Sequence, residues 1–134
     1  MPNWQPNWSD VVWDWGAANE AIAALHRAAG RLDESVGERQ RVAGEAQREW
    51  RGRYREEFDV DLNDLVQRAH SLAAEFRSTA ARIASASEAA RSEQSYRERE
   101  RERWRREKQE EERREREERE RRDRERRDRE RNRG

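Results

Sequence analysis

Cysteine is absent, and proline, tyrosine, phenylalanine and histidine occur only twice each. Without cysteine there is neither a disulfide framework nor a thiolate metal site, although the compartment stays open. No apolar run approaches the roughly 20 residues that cross a bilayer. With 31% of residues hydrophobic and 46% charged, a large globular core is also excluded. The opening MPNWQPNWSD has neither a basic region nor an apolar stretch, so no cleavable Sec signal peptide is expected. Catalysis has little to build on. His26 and His70 flank apolar stripes, no glycine-rich phosphate loop occurs, and carboxylates such as Glu56-Glu57 and Asp59/Asp61 suit solvated helix faces better than a desolvated pocket. The expectation is no enzyme activity, no cofactor and no metal site.

What the chain does have is charge, and its distribution is uneven. The 31 basic and 31 acidic residues cancel over 134 positions, yet residues 1–96 hold 12 basic and 16 acidic side chains against 19 and 15 in residues 97–134. Three segments follow: a Trp/Pro leader at 1–9, a helical segment at 10–96 and a charged tail at 97–134. The leader repeats Pro2-Asn3-Trp4-Gln5 as Pro6-Asn7-Trp8-Ser9, and its prolines forbid a regular helix. Ser9 or Asp10 is positioned to cap the helix that follows.

From there apolar residues recur at steps of four and three. Val11, Trp15, Ala18, Ile22, Leu25, Ala29, Leu32, Val36, Ala43, Ala46 and Trp50 form one stripe, interrupted only at Arg39, and Phe58, Leu62, Leu65, Ala69, Leu72, Phe76, Thr79, Ile83, Ala86 and Ala90 a second. Such a repeat keeps one narrow face toward a partner helix. The predicted fold is all-α: helices at about 10–48 and 54–94, reversed at Trp50–Gly52 into an antiparallel hairpin. The seam is expected to run through Ile22, Leu25, Leu32, Val36, Phe58, Leu62, Leu65, Leu72, Phe76 and Ile83. Because both stripes are rich in alanine, one hairpin buries little area, and pairing into a four-helix-bundle dimer is expected. Gly30, Gly37 and Gly44 lie seven apart beside the first stripe. Each costs about 1 kcal/mol relative to alanine in a helix interior, which suggests close approach by another backbone.

The tail is almost only Arg and Glu, with Trp104 its last aromatic residue. Acidic residues stand four before arginine at Glu110/Arg114, Glu112/Arg116, Glu115/Arg119, Glu117/Arg121, Glu118/Arg122, Glu120/Arg124, Asp123/Arg127 and Glu125/Arg129, the stabilising orientation. A long, solvated single helix with no stripe to bury is expected. Strict alternation over Arg97–Arg103 instead puts like charges at i,i+4, so a bend or frayed joint is expected there. A net +4 over residues 97–134 is weak attraction for phosphate, which disfavours nucleic-acid binding.

Trp50-Arg51-Gly52, placed between two heptad-patterned helices and followed by Phe58, resembles the signature of the WxG family of type VII (ESX) secretion proteins, small helical hairpins with Trp-x-Gly at the bend. Tyr96-Arg97-Glu98-Arg99-Glu100 resembles that family's Tyr-x-x-x-Asp/Glu motif. The likeness covers about residues 10–100, and the leader and charged tail depart from it. It implies a non-enzymatic protein exported by a Sec-independent route as a folded dimer, substrate or adaptor, with Trp50, Gly52, Tyr96 and Glu100 as recognition elements. The implied partners are a second copy or a related hairpin protein, together with a secretion ATPase or larger secreted protein. Arginine supplies 30 of the 31 basic residues, a bias compatible with GC-rich coding in actinobacteria, where such systems are common. The alternative is a cytoplasmic coiled-coil interaction protein whose charged helix is a spacer.

Overall fold

The computed structural model describes residues 2–133; the first residue of the expected leader and the last of the expected tail lie outside the described residues. Among these the protein is all-helical, without strands. Helix α1 runs Trp15–Gln47, helix α2 runs Arg53–Arg133, and the two pack together. The chain forms two compact units. One is Trp13–Ala89; the other joins the segment through Val12 to the chain from Ala90 onward.

In the Trp13–Ala89 unit, α1 starts later than the apolar pattern suggests, and neither Ser9 nor Asp10 is its cap. Asp14 takes that role from an extended conformation, its Oδ1 accepting from the Ala17 N–H at 3.0 Å. Ser9 and Asp10 are committed elsewhere: the Ser9 carbonyl accepts from Arg97 and Arg101, and the Asp10 carboxylate from Gln94 and Arg101. Residues 10–14 are non-helical, so no free helix amides follow Ser9 or Asp10 for either to cap.

The interface between the helices follows a seven-residue count of short side chains over most of its length. Ala29, Val36 and Ala43 are buried on α1, with Ala18 buried outside that count, and Val66, Ala73, Ala80 and Ser87 on α2. Side chains this short leave little between two helix backbones, so a thin, close contact results. Residue numbers rise along one helix as they fall along the other. The indole N–H groups of Trp13 and Trp15 donate to Ser87 Oγ (3.0 Å) and the Ser87 carbonyl (3.1 Å), Asp33 pairs with Arg77, and Gln47 bonds Asp59.

Within the single chain the buried line on α2 differs from the expected seam. Val36 is buried, and Ile22, Leu25, Leu32, Phe58, Leu62, Phe76 and Ile83 are half-buried. Leu65 and Leu72, however, are 42% and 40% exposed, and the contact line runs through Val66, Ala73 and Ala80 instead. The alanines fit a close interface that leucine would hold apart, and the leucines are left at its margin.

In the other unit the count continues along α2. Gln94, Arg101 and Lys108 extend the series 66, 73, 80, 87, while Arg97 and Trp104 extend 62, 69, 76, 83, 90, and all five are half-buried. Gln94, Arg97, Arg101 and Trp104 meet the leader, described below, and Lys108 lies over the Trp104 ring at 5.3 Å. The expected bend at 97–103 is therefore overturned: the helix is unbroken there. Arg97 and Arg101 share a sign at i,i+4, but each pairs with a carboxylate, Glu93 and Asp10, which offsets their mutual repulsion, and both also donate to leader carbonyls. From Glu112 to Arg133 every side chain is exposed, as the absence of an apolar stripe there implies.

Candidate functional site

Two groups of residues carry the structural detail beyond the helix interface, one in each unit. The first is the connection between α1 and α2. Gly52 has φ +99°, a left-handed value that favours a residue without a Cβ. Its carbonyl accepts from the Arg55 and Glu56 amides at 3.1 and 3.3 Å and so closes the first turn of α2. Trp50 packs against Phe58 with ring centroids 5.2 Å apart and keeps 38% of its surface exposed, while its carbonyl accepts from Arg55 Nη1 at 3.2 Å. The tryptophan is thus held at a stated angle, 48° to its neighbour's ring, with an open apolar edge.

A groove of about 570 Å³ opens nearby in the same unit, lined by Val42, Ala46, Phe58, Leu62 and Leu65 among others. Gly30, Gly37 and Gly44 lie on α1, and a Cβ added to any of them would meet nothing within 4 Å. No backbone of the chain itself closes on these glycines.

The second group was not legible as a site in the sequence. The leader lies extended along α2 and is read mainly through its main chain. Arg101 donates to the carbonyls of Asn7 (Nε, 2.9 Å) and Ser9 (Nη2, 2.6 Å) and to Asp10 Oδ1 (Nη1, 2.9 Å). Arg97 adds a bond to the Ser9 carbonyl at 3.1 Å, Gln94 accepts from the Val11 amide at 2.8 Å, and the Trp104 indole donates to the Trp4 carbonyl at 2.9 Å. Both leader tryptophans are seated too. Trp4 lies under the Arg103 guanidinium at 4.2 Å and donates to Glu107 Oε2 at 2.7 Å; Trp8 meets Trp104 edge to face at 5.3 Å, with Arg105 5.6 Å from its ring. Pro6, between them, is buried. Such cation–π contacts contribute about 0.5–1 kcal/mol each at exposed sites, and the guanidinium bonds are charge-assisted.

This arrangement sets the electrostatics at Asp10. The hydrogen bond from Gln94, then that from Arg101 and the Arg101 charge, hold its carboxyl below the usual value of 3.8. The sequence signal that could have found the site is the isolated Trp104, three residues after Arg101, four before Lys108 and seven after Arg97. Of the family-like tyrosine motif, Tyr96 is 53% exposed, and Glu100, one helical turn on, is half-buried and pairs with Arg103 at 3.4 Å.

His26 and His70 are both exposed, with His70 Nδ1 3.8 Å from Asp33. Among the described residues no group of three or more histidines and carboxylates converges as a metal site would require. Among the described residues no helix is long and apolar enough to cross a membrane. No family model, no curated protein and no solved structure matches the chain.

Proposed function

We propose that the protein is a non-enzymatic helical hairpin of the type VII secretion class, exported by a Sec-independent route as a folded dimer and acting as substrate or adaptor. The observation that carries this reading is the Trp50-Arg51-Gly52 connection: a left-handed glycine after a half-seated tryptophan, placed between two packed helices. Exposed Tyr96 with Glu100 one turn later supplies the second element of the signal. In a homodimer each chain would contribute both elements, so the composite signal would be built twice.

Dimerisation is supported by what the single chain leaves uncovered. Among the described residues no large side chain is fully buried, and Val42, Leu65 and Leu72 keep 51%, 42% and 40% of their surface. A second hairpin laid on that face would form the four-helix bundle. The stripe of Gly30, Gly37 and Gly44, open within the chain, would let the second copy approach. Gly37→Leu should then weaken assembly in sedimentation equilibrium, whereas a glycine facing only water would gain helix stability from the change.

The deciding experiment is export. Trp50→Ala and Tyr96→Ala should each abolish appearance of the protein in culture filtrate while helicity and dimer mass stay unchanged. Unimpaired export of both removes Trp50 and Tyr96 as the export signal and with them the type VII reading, whereas a parent chain confined to cells leaves a cytoplasmic interaction protein with a charged helical spacer.

A further inference from the structure

The leader's binding mode has three properties that matter together. Its contacts are with main-chain carbonyls and two indoles, read by Arg97, Arg101, Trp104 and Arg103. Its core is a tandem repeat, Pro-Asn-Trp twice, neither helix nor strand, whose Trp4 and Asn7 carbonyls, with that of Ser9, are free to accept from α2. It is joined to α1 only through non-helical residues ahead of Trp15. A segment held this way is a bound peptide that happens to be tethered.

We propose that the Arg97–Lys108 face of α2 is a recognition site for a Pro-Asn-Trp segment, held by the chain's own leader in dilute solution and open to the leader of a second copy when its own is displaced. The chemistry is specific in two respects. Arg101 spends its whole donor fork on one ligand, two carbonyls and the Asp10 carboxylate, a geometry that lysine cannot reproduce. The Trp104 ring is addressed from both sides of its polarity: its edge N–H donates to the Trp4 carbonyl, while Trp8 meets it at 89°. Exchange replaces every contact by an identical one, so the trans form costs nothing in bonding and loses only the advantage of the tether. A short tether gives an effective concentration on the order of millimolar, so the leader in cis wins in dilute solution. The trans form becomes visible once cis docking is disabled in both copies by complementary means. The inference stands on this unit alone and does not depend on the secretion reading.

The test uses two full-length variants. One keeps the face and loses the leader anchors (Trp4→Ala with Trp8→Ala); the other keeps the leader and loses the face (Arg101→Ala with Trp104→Ala). In the first, amides of residues 97–108 should exchange about tenfold faster than in the parent. Adding the second at a few times 100 micromolar, below the roughly millimolar cis concentration, should restore a large part of that protection. A chain carrying all four substitutions should restore none, which separates leader exchange from any pairing of the helices elsewhere. The substituted leader residues lie outside both helices, and circular dichroism checks that helix content is retained; if it falls, Trp4→Ala alone serves as the leader-disabled chain. Exchange at 97–108 that is unchanged by the face-disabled partner, or restored equally by the fourfold variant, overturns the proposal.

Discussion

Gly52 stands at φ +99° with nothing within 4 Å of where a Cβ would sit, so its constraint is in the backbone and not in the space around it. Gly52→Ala should therefore lower stability by about 1–2 kcal/mol, the cost of a left-handed conformation for a residue with a side chain. Urea denaturation would show this as a lower midpoint with unchanged slope. Asp10 is governed by charge instead. Its carboxyl is held below 3.8 while the leader is docked and returns to that value when the leader is free. A depressed value in the docked state means that the contribution is complete above the free value and is lost as pH falls through the lowered one. Docking should thus be insensitive to pH near neutrality and weaken only in acid below about 3.8, read from the Trp104 indole N–H resonance as its bond to Trp4 opens. In Asp10→Asn that acid-induced weakening should be much reduced.

At the scale of the helices, the interface is set by alanine. Ala73 and Ala80 are 0% and 1% exposed on the line where α2 meets α1, and the larger Leu65 and Leu72 sit outside it. Ala80→Leu keeps helix propensity high but forces the backbones apart, an overpacking that typically costs about 1–3 kcal/mol. Thermal unfolding should detect the loss. The distal part of α2 rests on a different source of stability. Among its acid-to-arginine pairs, Glu110/Arg114, Glu115/Arg119 and Glu118/Arg122 are formed, all on exposed side chains. Pairs of this kind contribute about 0.2–0.5 kcal/mol each and are screened over roughly 10 Å at 0.1 M salt. Raising salt should accelerate amide exchange over 113–130. Residues 97–108 should respond less, because their arginines also bond to leader carbonyls, which are not ions.

For the molecule as a whole, the question is how a chain with 31% hydrophobic residues holds its helices. The protein solves it differently in its two units: a thin alanine contact in one, and a polar strap with three tryptophans in the other. The thin contact leaves Val42, Leu65 and Leu72 partly in water, and the proposed dimer is the arrangement that would cover them. Dimer mass at micromolar concentration in sedimentation equilibrium, with a melting temperature that rises with protein concentration, is the expected outcome. A folded monomer under those conditions would remove the dimer from the proposal.

The sequence by itself determined what depends on near neighbours. The periodicity of apolar residues predicted two long helices, the prolines a non-helical leader, Gly52 the left-handed residue between the helices, and the acid-to-arginine spacing a helical tail with exposed side chains. These are set by steric preference and by partners three or four residues away. Tertiary structure alone decided which line of a broad stripe is buried, since 65/72 and 66/73 are adjacent on the same helix and only the other helix chooses between them. It alone decided that α1 starts at Trp15 with Asp14 as its cap, while Ser9 and Asp10 bond to arginines some 90 residues away. The straight run through 97–103 is of the same kind. Local charge repulsion argued for a break, and a bond between Trp104 and Trp4, 100 residues apart in the chain, belongs to the strap that prevents it. Contacts at that separation leave no period in the sequence, because each side needs only a single residue of the right chemistry.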